Sequence, residues 1–289
     1  MNFGLLFANT GPYVEPTGAA LIARTAEDTG FESLWTVEHV AVPADYQSSY
    51  PYHESGKMPG TEDAPIPDPL IWLSYVAAVT ERIRLATGIL ILPQRHPIYV
   101  AKEVATLDVL SSGRVTLGVG IGWLAEEFEA LGIPFRERAA RTEECIEAMR
   151  SLWAGGASAF DGEFYRWSAL ESNPKPAQGT HVPIVIGGHV PAAARRAARY
   201  GDGFFPALAD IGELQTLFDV IRRECEATQR DPSEVELSVL ARIRRPEDIE
   251  PYAALGVSRI VAPIPTRSDA ELKERLAQYA DEVIRPLNG

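Results

Sequence analysis

The sequence predicts an α/β fold, a (β/α)8 TIM barrel with insertions after strand 2 and before strand 5. Three observations predict it. Eight apolar, strand-like runs alternate with amphipathic helical stretches nearly to the end of the chain, the rhythm of parallel strands joined by crossover helices. The 289 residues, 46% of them hydrophobic, suit a barrel that uses roughly 250. No repeat, heptad or charge run marks a second unit, so residues 1–289 read as one domain. The doubly wound alternative would still put ligands at the carboxyl ends of strands.

In chain order, strands are predicted at 2–7, 33–36, 84–91, 115–120, 182–186, 203–206, 236–241 and 258–262. Helical patterns lie near 17–29, 68–80, 98–110, 138–154, 191–200, 212–228, 247–255 and 269–284. Pro191 sits where a helix begins, and proline suits a first turn because the amide it lacks has no partner there. Within 138–154, Cys145 keeps step with Ile146, Met149, Leu152 and Trp153, one helix face, which reads as a small buried apolar group and not a nucleophile. Two segments break the rhythm. Residues 41–67 (AVPADYQSSYPYHESGKMPGTEDAPIP) read as a long loop, and residues 155–181 carry FDGEFYRW, a short hairpin plus loop. Long loops in a compact barrel are either functional lids or surface decoration.

The net charge of −13 and the pI near 4.9 argue against nucleic acid or an anionic membrane as partner. They also mean that an anionic cofactor needs local positive potential. Two cysteines, Cys145 and Cys225, form no C-x-x-C pair. The N-terminal MNFGLLFANTG has no basic region and too short an apolar run for a signal peptide, and no stretch suits a membrane span. A cytoplasmic location is expected. No histidine–carboxylate spacing suggests a metal site.

Four segments carry candidate chemistry. In VPIVIGGHVPAAARRAARYGDG, from Val182, an apolar run ends in Gly187-Gly188 just before a helix. Backbone without β-carbons admits close approach, and helix amides favour an anion such as phosphate. An ordinary tight turn is the bland alternative. In RVTLGVGIGWLAEEFEAL, from Arg114, Gly118, Gly120 and Gly122 recur every second residue, a bare strand face that either admits a flat ring or packs the barrel tightly. A dinucleotide fingerprint fails because position 123 is Trp123. In WTVEHV, Glu38 and His39 follow strand two. His39 either exchanges a proton with a reacting group or bonds to backbone. In ATGILILPQRHP, Gly88 interrupts an apolar strand, the mark of a bulge or close approach. His39, Gly88, Gly120/Gly122 and Gly187/Gly188 all follow or end strands two to five, so a barrel gathers them on the one face where active sites sit. His53, His96 and His181 suggest no role.

At these residues the chain resembles the luciferase-like monooxygenase superfamily of flavin and deazaflavin barrels. The likeness runs over nearly the whole length and is densest in Leu85–Gly132 and in PIVIGGHVPAAARRAARYGDGF. WTVEHV, the Pro/Tyr-rich loop and GKMPG are most similar to the branch dependent on coenzyme F420, a deazaflavin. The resemblance implies an oxidoreductase that moves a hydride between F420 and a small organic substrate. The alternatives are an FMN-dependent monooxygenase of the same superfamily and a non-catalytic flavin-binding barrel. By position it implies a non-prolyl cis peptide at Gly88-Ile89 behind the ring. Gly120 and Gly122 would lie beside the ring and its ribityl chain, Gly187, Gly188 and His189 would hold the phosphate, and His39 would stand beside the reactive ring. Arg195 and Arg196 would either meet an acidic tail or only line a solvated helix face. Sugar-phosphate dehydrogenases of the superfamily carry a carboxylate directly after the strand-four glycines. Trp123 stands there instead, which implies an apolar or planar substrate. Homodimers are common among such relatives.

Overall fold

The computed structural model describes residues 1–288. Eight parallel strands close into a barrel: β1 (Asn2–Leu6), β2 (Ser33–Thr36), β3 (Arg84–Thr87), β4 (Val115–Gly120), β5 (Ile184–Gly187), β6 (Gly203–Phe205), β7 (Glu236–Leu240) and β8 (Arg259–Pro263). Each pairs in parallel with the next, and β8 returns to β1 through Asn2↔Arg259 to Leu6↔Pro263. Outside lie α1 (Pro16–Thr29), α2 (Pro69–Ala77), α3 (Pro97–Leu110), α4 (Arg138–Trp153), α5 (Pro191–Tyr200), α6 (Ile211–Ala227), α7 (Glu250–Ala254) and α8 (Asp269–Tyr279). The fold is the TIM barrel that the alternation predicts.

Five of these helices, α1, α2, α3, α5 and α7, carry proline in the first turn, where its fixed φ is preset for helix. Asp68 caps α2 by accepting the amides of Leu70 and Ile71 at 2.9 and 3.0 Å, relieving two orphan donors. Cys145 is fully buried on α4 among Ile146, Met149 and Leu152, and burial pushes its thiol up to about 12, so it is an inert apolar filler. Residues 41–67 form no helix or strand. The second insertion contains the antiparallel pair Ser158–Asp161 and Arg166–Leu170.

Three elements differ from the sequence pattern for local reasons. The run 84–91 is split, because Leu85 pairs with Val115 whereas Leu90 pairs with Val119. Strand three therefore holds one residue more than its partner, a bulge at Gly88-Ile89, and that peptide bond is cis. The helix at 247–255 begins as a 3-10 turn, Pro246–Ile249, and the last helix passes into a π turn at Ala280–Ile284. A six-residue helix, Ala125–Ala130, follows β4; it is too short to display a period.

The barrel interior is filled in two layers. At mid-height Leu6, Trp35, Ala86, Val185, Phe205 and Val261 are buried together, with the Trp35 and Phe205 rings 5.1 Å apart. Trp35 donates its indole N–H to Ser33 at 2.8 Å, so its one polar atom is satisfied. Below, at the amino ends of the strands, Arg259 is paired with Glu32 (3.0 Å) and with Glu236, while Arg84 bonds Thr116 and the Val115 carbonyl. The barrel is closed at this end and opens at the other.

Candidate active site

The carboxyl ends of β2, β3, β4 and β5 are adjacent in the barrel and carry the site residues. His39 stands three residues past β2, Gly88 and Ile89 form the bulge after β3, Gly120 ends β4 with Gly122 beyond it, and Gly187 ends β5 before Gly188 and His189. All eight residues singled out from the sequence lie on one rim.

The glycines are small for a reason other than the bare face expected from the sequence. A β-carbon on Gly120 would meet the Ile89 side chain at 2.7 Å, and one on Gly187 would meet it at 2.6 Å. One on Gly118 would strike the Thr87 carbonyl. The bulge drives Ile89 across the ends of β4 and β5, so Ile89 fills the space those glycines leave and itself becomes the wall. Gly122 does not continue the alternation. It lies past the strand with φ +75°, against Ile91 and Phe128, a left-handed position suited to glycine.

The turn after β5 keeps the features of an anion seat. Gly188 adopts φ +122°, and a β-carbon there would come within 2.9 Å of the Ala193 methyl. Val190, the residue before α5, supplies no side-chain cap; its carbonyl takes the Ala193 and Ala194 amides at 2.9 and 3.3 Å, and the positive end of the helix still favours an anion at the turn. His189 Nδ1 is buried and, among the described residues, has no hydrogen-bond partner, an unsatisfied donor or acceptor that calls for a ligand. Of the two adjacent arginines Arg195 and Arg196 on α5, Arg196 is buried and paired with Glu143 at 3.0 Å, which removes it from the tail contact considered above. Arg195 is exposed.

Around His39 the structure assembles partners that local sequence does not announce. Its Nδ1 lies 3.1 Å from Glu127 Oε2, while Glu127 Oε1 accepts the amides of Val40 and Ala41 at 2.7 and 3.1 Å. Burial works to raise the Glu127 carboxyl, but the hydrogen bonds from His39 and the Ala41 amide help to offset it, and the group is held below its ordinary value. Glu38, also buried, accepts from Arg95 and from the Ile91 amide, and Arg95 continues to Asp68 at 2.6 Å. This chain of charges ties the ends of β2 and β3 to the cap of α2. A cavity of about 290 Å³ opens beside it, lined by Glu38, His39, Val40, Gln94 and Arg95 among others.

The 41–67 loop lies over this rim. Trp123 meets the rings of His39, Tyr46 and Tyr50 edge-on at 5.7, 5.4 and 5.1 Å. Tyr52 reaches the His189 ring at 4.7 Å. Glu126 anchors the loop, taking the Gln47 and Ser48 amides at 2.7 and 3.0 Å and the Ser48 hydroxyl at 2.6 Å. Among the described residues, no group of three or more His, Cys, Asp or Glu could hold a metal ion, and no helix is long and apolar enough to cross a membrane.

Residues 1–280 match the model of the luciferase-like monooxygenase family, and the chain belongs to that family. It is 33% identical over 283 residues to an uncharacterised protein of Mycobacterium tuberculosis, covering 96% of this chain and 98% of that one. It is 29% identical over 278 residues to an F420-dependent glucose-6-phosphate dehydrogenase of Kineococcus radiotolerans, covering 93% and 76%. Among solved structures, the monooxygenase RslO1 of Streptomyces bottropensis superposes with a TM-score of 0.79 at 24% identity, over 99% of this chain and 100% of that one. The coenzyme F420 dependent tetrahydromethanopterin reductase of Methanopyrus kandleri does so at 0.77 and 17%, over 99% of each. These two likenesses show the shared fold.

Proposed function

We propose that this protein is an oxidoreductase that exchanges a hydride between coenzyme F420 and a small organic substrate of apolar or planar character. The observation that carries the proposal is the rim itself. A glycine turn before a helix with no side-chain cap, carrying the orphaned His189 Nδ1, adjoins the Ile89 wall and the enclosed His39. The similarity to an F420-dependent dehydrogenase over most of both chains supports the deazaflavin over other planar cofactors.

Gly187, Gly188 and His189 would hold the cofactor's phosphate, against amides and a positive helix end that favour an anion. Ile89, seated on Gly120 and Gly187, would back the ring. When bound, the deazaflavin supplies the hydride chemistry. The chain's own residues orient the reactants and exclude water, and His39 takes up or delivers the proton that accompanies hydride movement. Trp123, with Tyr46 and Tyr50 packed edge-on against it, gives the substrate side an aromatic wall.

The second reading, an FMN-dependent monooxygenase, has support from the fold shared with RslO1 and from an anion seat that would equally take a phosphate monoester. A non-catalytic flavin-binding barrel is the third. Fluorescence titration of the purified protein with F420 and with FMN separates them. Binding of F420 followed by reduction or oxidation with a panel of alcohols, ketones and enones is the expected result. Tight FMN binding without F420 binding would overturn the deazaflavin assignment, and F420 binding without turnover on any of the panel would favour the third reading.

A further inference from the structure

We infer that Glu127 is the positioning residue of a buried Glu–His dyad, and that it fixes His39 as the tautomer with its proton on Nδ1 and its lone pair on Nε2. The inference deepens the function proposed above and rests on it for the role of His39, while the dyad itself is a property of this chain alone.

The geometry leaves little freedom. Both oxygens of Glu127 are committed, Oε2 to His39 Nδ1 and Oε1 to two successive amides, those of Val40 and Ala41. Glu127 is fully buried and stays charged, held so by three donors. An ionised carboxylate only accepts. The His39 nitrogen facing it must therefore carry the hydrogen, and in a neutral imidazole the other nitrogen is then the acceptor. The T-shaped contact with Trp123 fixes the ring plane from the side. Nε2 is left as the nitrogen that meets a reacting hydroxyl or carbonyl. When it accepts a proton the ring becomes an imidazolium with Glu127 as its counter-ion, and the carboxylate keeps its charge throughout, as buried carboxylates behind catalytic histidines do. The same carboxylate holds the amides of Val40 and of Ala41, where the 41–67 loop begins, so ring orientation and loop attachment share one group.

Substitution Glu127→Gln tests this with little loss of volume. The Val40 and Ala41 amides still require an oxygen, so the glutamine oxygen stays on them and its NH2 turns to His39 Nδ1. That reverses the tautomer and puts the hydrogen on Nε2. Nitrogen-15 NMR of the full-length protein without added cofactor reads the two tautomers directly. His39→Gln identifies the signal among the five histidines. The expected result is an Nδ1–H tautomer in the wild type and an Nε2–H tautomer in Glu127→Gln, with the circular dichroism of the two proteins superimposable. An Nε2–H tautomer in the wild type overturns the inference, even if the variant fails to fold. An unchanged Nδ1–H tautomer in a folded variant overturns it too. Because these spectra need neither cofactor nor substrate, they stand whether or not F420 binds, and loss of the F420 reading leaves the dyad untouched.

Discussion

The two ends of the barrel carry their polar groups differently. At the amino ends of the strands Arg259 lies between Glu32 and Glu236, and Arg84 finds Thr116 and a carbonyl. Charges there are matched, and the interior above them is closed by Trp35 and Phe205. At the carboxyl ends His189 Nδ1 is buried without a partner, Gly188 is left-handed, strand three is bulged, and a 27-residue loop without regular structure, 41–67, lies across the rim. Charges are paired at both ends, through Arg259 at one and through Glu38–Arg95 and Glu127–His39 at the other, and the carboxyl end adds a buried ring nitrogen left open beside a glycine turn. In barrels of this kind stability is concentrated at the first end and chemistry at the second.

The sharpest way to break this comparison is at Gly188. Gly188→Asp adds a β-carbon at a φ that disfavours one, and a negative charge where an anion is proposed to sit. F420 affinity is expected to fall by about 100-fold or more, since a like charge in a desolvated contact costs several kcal/mol, whereas the melting temperature moves by only about 5 °C. Unchanged affinity in a titration would count against the anion seat. His39→Ala comes next: turnover is expected to drop by about 10²-fold with cofactor binding retained, and an unaltered rate removes His39 from the chemistry. At the closed end the signs invert. Arg259→Met leaves Glu236 without its cation and Glu32 with only Arg84, at 3.8 Å. It is expected to cost about 2 kcal/mol of stability in denaturant titration, lowered from the fully buried case because both carboxylates are partly exposed, while F420 affinity stays the same.

How much of this was legible in the sequence follows the same divide. The barrel was readable because β-strand and helix periodicities are local, and the ends of β2, β4 and α3 fall where the pattern places them. The rim was readable as a set of positions, because glycine, a bulge signal and a histidine mark strand ends without reference to the rest of the chain. What fills the rim was not. Gly120 and Gly187 looked like bare backbone, yet they make room for Ile89, a residue displaced by the bulge in a neighbouring strand. Glu127 meets His39 across 88 residues of sequence, and Arg95 meets Glu38 across 57. No spacing rule links residues so far apart. The Glu126-Glu127 pair beginning a short turn of helix was the one available hint, since carboxylates there are favoured by the helix dipole anyway and so did not stand out. The tyrosines of 41–67 marked an unusual loop, but their target, Trp123, emerges only when β2 and β4 are brought to one face.

The smallest expected effect sharpens the comparison at the loop. Glu126 is held down to about 2 by the Ser48 hydroxyl, opposed by slight burial and aided by the Gln47 and Ser48 amides. An anchor of this kind is a carboxylate depressed in the folded state, so its contribution is fully present above the ordinary value of 4.5 and fades as the pH falls from there through 2. Acidification across that window is therefore expected to release the loop before the barrel. Nitrogen–proton NMR would show the Gln47 and Ser48 amides moving, with the Glu126→Gln variant already in the released state at neutral pH and insensitive to acid. The amides of the fully buried barrel residues Leu117 and Val239 should hold their positions over the same range. If the loop amides instead track the barrel through a single transition, the open end is no looser than the closed one, and the aromatic cover over His39 is part of the rigid frame.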